Sequence, residues 1–244
     1  MIAISLFRDY LAHIHCAHKH LPLSMELAKL LNEGSLQEKI QNFFTYYKDT
    51  ITKKPDKQEL QNIVSSMLKD LSEILEMKIE DEEVDIVKLF KSYLAFATEN
   101  MNEVIEKIIR IKRLGIDLKD WLKRFLQANS LLRKLANEVF SGGKITDTIV
   151  DDLRAIRGIA SNLEKEIVMM REEVEEKIKG TNIEMAILEE IKDLKASLYM
   201  CEELAVKMLS GVVKLRKVDL LIDLIGNLFA TIRHILEILV ILYA

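Results

Sequence analysis

Apolar residues along this chain recur at alternating intervals of three and four, the period of a helix that buries one face. Between residues 82 and 217 four segments keep such a stripe. The first runs Val87, Phe90, Leu94, Ala97, Met101, Val104, Ile108 and Ile111, and the second runs from Leu118 and Leu122 to Val139, with Asn129 interrupting. The third runs from Ile149 to Met170 and Val174, and the fourth from Ile187 through Cys201 to Val212 and Leu215. A repeat of this kind packs knobs into holes at shallow crossing angles, the geometry of coiled coils and helical bundles.

Punctuation between the stripes sets the expected ends. A first helix over 2–20 should stop ahead of Pro22, because the residue before a proline disfavours the helical conformation. A short helix over 24–32 follows, and Ser35-x-x-Glu38 has the form of a capping box opening a helix over 36–52. Pro55 marks the start of the next, which reaches about 77. The acidic run at 80–83 then opens a helix that Gly115 closes. Asp117 caps another to 140, and the SGGK loop at 141–144 separates it from a helix over 146–179. Gly180 and Thr181-x-x-Glu184 make a turn, and a last break near Lys217 gives a final helix to the end. Short glycine-containing links predict antiparallel neighbours. The expected fold is therefore all-α: a long, heptad-patterned, up-down-up-down helical bundle over 79–244 with a smaller N-terminal helical cap over 1–78.

Composition supports this reading. Among 244 residues there are only 8 glycines and 2 prolines against 30% charged residues. That is too few turn formers for a sheet protein. The bias toward lysine, glutamate and isoleucine points toward a thermophilic protein. The net charge of −4 excludes a global attraction to nucleic acid or anionic lipid. Two distant cysteines, Cys16 and Cys201, do not form a disulfide framework, and a cytoplasmic location follows as the expectation. The C-terminal stretch is strongly apolar, but Arg233, His234 and Glu237 lie within it. No membrane insertion is expected.

Three clusters carry candidate chemistry. In HIHCAHKH, residues 13–20, the helical period places His13, Cys16 and His20 on one flank and His15 and His18 on the other. The first three could supply soft ligands to a divalent transition metal such as zinc. Their alternative is a polar flank of an ordinary helix. On the final helix Asp219, Asp223, His234 and Glu237 share a face with Asn227, Gly226 and Ala230, a pattern suited to a cation or to acid–base work. A helix this apolar also needs one side toward water, which would explain the same stripe. The third cluster is basic: Lys107, Arg110, Lys112, Arg113, Lys119, Lys123 and Arg124 flank a turn beside Trp121, opposed by Asp117 and Asp120 alone. It could contact phosphates as a helix–turn–helix would. Alternatively it pairs with the glutamate-rich segment 172–190 at the same end of the bundle.

No catalytic residues stand out, since P-loop, GxSxG, CxxC and HExxH patterns are all missing from the sequence. The expectation is a non-enzymatic helical interaction or scaffold protein. It should self-associate through the apolar C-terminal helix, where ILEILVILYA must be covered by the N-terminal helices or by a second subunit. Nucleic-acid binding through 107–124 is the first alternative, and metal binding through the N-terminal histidines is the second.

Overall fold

A computed structural model describes residues 2–53, 55–79, 82–113, 115–118, 120–170 and 183–243, with backbone alone at 2–16, 51, 183–186, 239 and 241–243. The described residues form eight helices and two short strands. These are α1 (Ile2–Leu31), α2 (Gly34–Lys53), α3 (Lys57–Leu75), β1 (Glu83–Asp85), α4 (Ile86–Arg113), α5 (Trp121–Phe140), α6 (Asp147–Met169), α7 (Ile183–Leu209), β2 (Lys214–Arg216) and α8 (Lys217–Tyr243). The all-α helical-bundle fold class is thereby established.

The chain divides into two compact units, one built from 1–85 and 214–244, the other from 86–213. This departs from the expected division at 78/79. The final helix belongs with the N-terminal helices, packing on α1 and α3, and not with the bundle. Periodicity identifies an apolar face, but it does not say which distant segment covers it.

The second unit is a ring of four helices in which α4 neighbours α5 and α7, and α6 neighbours α5 and α7. The predicted stripes supply its core. Phe90, Leu94, Met101 and Ile108 of α4, Phe125 and Leu132 of α5, Leu153, Ile156 and Leu163 of α6, and Ile191, Leu194 and Leu198 of α7 are all buried. The edges of the stripes depart from expectation. Val87 is exposed, Leu122, Met170 and Met208 are half-buried, and Val212 and Leu215 lie beyond the end of α7. Cross-links order the pairs: Lys91 sits 5.8 Å from the Phe140 ring, and Asn129 donates to Asn102 at 3.2 Å, so ascending α4 means descending α5. On the other side Arg154 and Arg157 of α6 meet Glu202 of α7, whereas Glu164 meets Lys195, again in opposite order.

In the first unit the predicted stop before Pro22 is wrong. One helix runs through it. Proline withholds its own amide from the helical ladder, and Ser24, two residues on, turns its hydroxyl back to the carbonyl of His20 at 2.7 Å. Apolar burial of Ala17, Leu21, Leu27 and Leu31 on both sides of the proline holds the helix together. The predicted Ser35 cap lies inside the first turn of α2. The capping box is instead on α3, where Asp56 accepts from the Glu59 amide at 2.9 Å and Glu59 accepts from the Asp56 amide at 3.0 Å. Asp117 does not cap α5, whose N-cap position is Asp120. The Gly180 turn lies outside the described residues.

Strands stand where the acidic run at 80–83 was expected to open a helix and where the fourth stripe was expected to reach Leu215, just ahead of the expected break near Lys217. β1 pairs antiparallel with β2, matching Glu83 with Arg216, Val84 with Leu215 and Asp85 with Lys214. Opposite charges face each other across this ladder, and Val84 is its buried residue. Lys217, itself buried, extends the pairing: its amide donates to the Glu82 carbonyl at 2.9 Å, and its ammonium lies 2.6 Å from the Glu82 carboxylate and 3.7 Å from Glu33. Gly211 at φ +88° supplies the left-handed turn that ends α7, a conformation glycine adopts without steric cost.

Candidate functional site

Within the first unit the packing of α1 on α8 joins two of the three candidate clusters. His20 of the histidine-rich segment meets the polar stripe of α8. Its Nδ1 lies 3.0 Å from Oδ1 of Asn227, and its ring stacks on His234 with centroids 6.0 Å apart. The Asn227 amide group donates to the Asp223 carbonyl at 2.9 Å, which fixes its oxygen toward His20 and makes His20 Nδ1 the donor.

His234 has no exposed surface and is held at both nitrogens. Nδ1 faces the Glu237 carboxylate at 3.0 Å, and Nε2 faces the Arg233 guanidinium at 3.2 Å. A carboxylate only accepts, so Nδ1 is the nitrogen that donates to Glu237. Arg233 closes the circuit to Glu237 at 3.7 Å. Thr231, also buried, returns its hydroxyl to the Asn227 carbonyl at 3.1 Å. The stripe is therefore not simply the side of α8 that faces water. Its middle turns into the interface with α1, where hydrogen bonds between polar side chains fix one register of the two helices.

The predicted cation site on α8 does not assemble as one constellation. Asp219 and Glu237 are separated by about 27 Å at about 1.5 Å per residue. Asp219 faces Arg216 at 3.2 Å, whereas Glu237 serves His234 and Arg233. Of the predicted metal ligands on α1, the side chains of His13 and Cys16 lie outside the described residues, and His20 Nδ1 is committed to Asn227. Among the described residues no group of three histidine, cysteine or acidic side chains has the arrangement of a metal site. His18, on the opposite flank, is exposed and stacks on Tyr47 with centroids 5.2 Å apart.

The basic cluster lies in the second unit. Lys119 falls outside the described residues. Lys107 is half-buried, and Arg110, Lys112, Arg113, Lys123 and Arg124 are exposed. Their described partners are local: Arg110 pairs with Glu106 one turn back, and Arg124 lies 4.9 Å over the Trp121 ring. Trp121 donates its indole hydrogen to Glu166 of α6 at 2.6 Å. Lys112, Asp120, Lys123 and Leu126 border an open groove of about 440 Å³. Most of the glutamate-rich segment 172–190 lies outside the described residues.

Sequence reasoning missed one ionic site in the bundle. Glu202 of α7 is buried and receives Arg154 Nε at 2.6 Å and Arg157 Nη2 at 2.8 Å, with Arg157 also 5.5 Å over the Tyr199 ring. The only signal would have been a pair of arginines three apart on one helix. Cys201, next to it, is fully buried, and burial pushes its thiol far above its usual pKa, leaving it a small core residue.

The larger surprise is on the outer side of α8. Val218, Ile222, Phe229, Leu236 and Val240 are between 42% and 64% exposed. Half of this apolar helix is covered by α1 and α3, and half is left open. Among the described residues no helix is long and apolar enough to cross a membrane. The chain matches no protein-family model, no curated protein and no solved structure, so its residues alone carry the functional argument.

Proposed function

We propose that this protein is a non-enzymatic helical scaffold that works by self-association through the outer face of α8. One observation carries the reading. Five large apolar side chains lie along one exposed row of a single helix, and contiguous exposed apolar surface of this kind marks sites of protein association. The inner polar seam complements it, because His20, Asn227 and His234 lock the helix to α1 and so present the outer row from a fixed support. A reducing, cytoplasmic setting suits a chain whose buried Cys201 remains a thiol. Sedimentation velocity across a concentration series tests the proposal. The expected result is a dimer or larger species that dissociates on dilution. A strict monomer at the highest concentration overturns it.

A second reading rests on the exposed cations around the groove beside Trp121. Arg110, Lys112, Arg113, Lys123 and Arg124 could follow a phosphate backbone, with the aromatic ring available for stacking. Its test is binding to single- and double-stranded nucleic acid at low ionic strength. Affinity should fall steeply with salt, and an absence of binding at low salt removes this reading.

A further inference from the structure

We infer that the partner on α8 is a second copy of α8, antiparallel to the first, with Phe229 on the two-fold axis. The inference rests on the self-association reading and adds its orientation and register.

The exposed row is symmetric along the helix. From Phe229, Ile225 and Arg233 lie four residues away, Ile222 and Leu236 seven, and Val218 and Val240 eleven. At about 100° per residue all seven positions fall within about 40° of Phe229 around the helix. Their spacing averages about 3.67 residues per turn, close to that of an unstrained straight helix, so the row follows the helix axis instead of winding off it. A two-fold related pair must present the same patch on both copies. Reversing α8 about Phe229 does this, setting Ile222 against Leu236, Val218 against Val240 and Phe229 against itself.

Charge favours the same orientation. Arg233 is the one charge in the row. In the antiparallel pair each Arg233 stands level with the partner's Ile225. Parallel pairing would set arginine against arginine.

Complete burial of the row reaches the lower limit of area for a specific interface. The five exposed side chains and the half-buried Ile225 present roughly 500 Å² per copy, and so roughly 1,000 Å² for the pair, the threshold for a specific interface.

Double electron–electron resonance tests the register in the full-length chain carrying Cys16→Ser and Cys201→Ala. Nitroxides are attached singly through Val218→Cys or Val240→Cys. The account predicts equal same-site separations of about 35 Å for both labels, from twice the offset at about 1.5 Å per residue and an interhelical distance of about 8–10 Å. Mixing the two labelled chains should add a short separation, within about 20 Å, from label to label across the pair. Short same-site separations would show parallel pairing, and unequal ones a different interface. Either result overturns the register while leaving self-association standing, whereas a monomeric unlabelled protein overturns both. If labelling itself disperses the dimer, oxidation of the unlabelled Phe229→Cys variant decides. Its thiols would meet on the axis, and it should cross-link roughly tenfold or more over Val218→Cys, whose thiols are too far apart for a disulfide. Equal yields overturn the register.

Discussion

Helices α7 and α8 have the same length, 27 residues each, and put their apolar side chains to opposite uses. On α7 the stripe from Ile187 to Ala205 is buried against α4 and α6, and the charges lie mainly outside it. On α8 the inward face mixes leucines and isoleucines with His234 and Thr231, both fully buried, while valines, a phenylalanine and further leucine and isoleucine residues face outward. α7 keeps a largely apolar-in, polar-out pattern, broken by the buried Glu190 and Glu202. α8 is apolar on its exposed face as well as its covered one, and its buried polar groups sit where they meet α1.

The sharpest way to break this contrast is to truncate one residue of each kind. Leu198→Ala in α7 should cost about 2–5 kcal/mol in chemical denaturation, because a fully buried leucine leaves a cavity. On α8 the Ile222 side chain is 62% exposed. Its truncation to alanine should cost the monomer no more than about 0.5 kcal/mol, the usual range for a surface substitution. It should instead weaken the proposed dimer. If the two substitutions cost the same under dilute conditions, the faces of α8 are not divided as described.

The polar seam gives the next largest effect. His234→Ala removes contacts to Arg233 and Glu237 and leaves a buried void. The expected loss is about 1–3 kcal/mol by thermal unfolding. No change would mean that the seam adds no stability. In the bundle, Glu202→Gln should cost about 1–2 kcal/mol in chemical denaturation, between the values for surface and for fully buried ion pairs. The carboxylate is buried, but both arginines reach solvent and rehydrate once the charge is gone. A neutral substitution there would mean that the arginines gain nothing from the carboxylate.

The smallest effect is a pH dependence at α2–α3. Lys39 donates to Glu73, which holds the Glu73 carboxyl below its ordinary pKa and raises that of Lys39. A lowered carboxyl pKa contributes stability that is present above the ordinary glutamate range and fades as pH falls through the folded value. The raised lysine pKa contributes below the ordinary lysine range and is lost as pH climbs through its folded value. Glu73→Gln should therefore slightly flatten the acidic limb of a stability–pH curve, and an unchanged limb would count against the pair.

The bundle core was readable in the sequence because burial on one face imposes a period, and Phe90, Leu132, Leu163 and Leu194 all obey it. Three features were not readable. The ladder of β1 with β2 is three residues long on each side, too short for any alternation to register. Pro22 looked like a stop, but apolar burial on both sides of it outweighs one absent amide bond. The seam joins His20 to His234, two residues on opposite ends of the chain, and each separately resembles a polar flank. Periodicity described α8 as apolar nearly all round and could not tell its covered face from its exposed one.

That division is tested most directly by unfolding the protein over a wide range of concentrations, alongside the double variant Ile222→Asp/Phe229→Asp. If a second copy covers the outer face of α8, the wild-type midpoint rises with protein concentration, while the variant keeps its helix content and shows a midpoint independent of concentration. A wild-type midpoint that stays constant across the range, matching the variant in its indifference to dilution, would contradict the account.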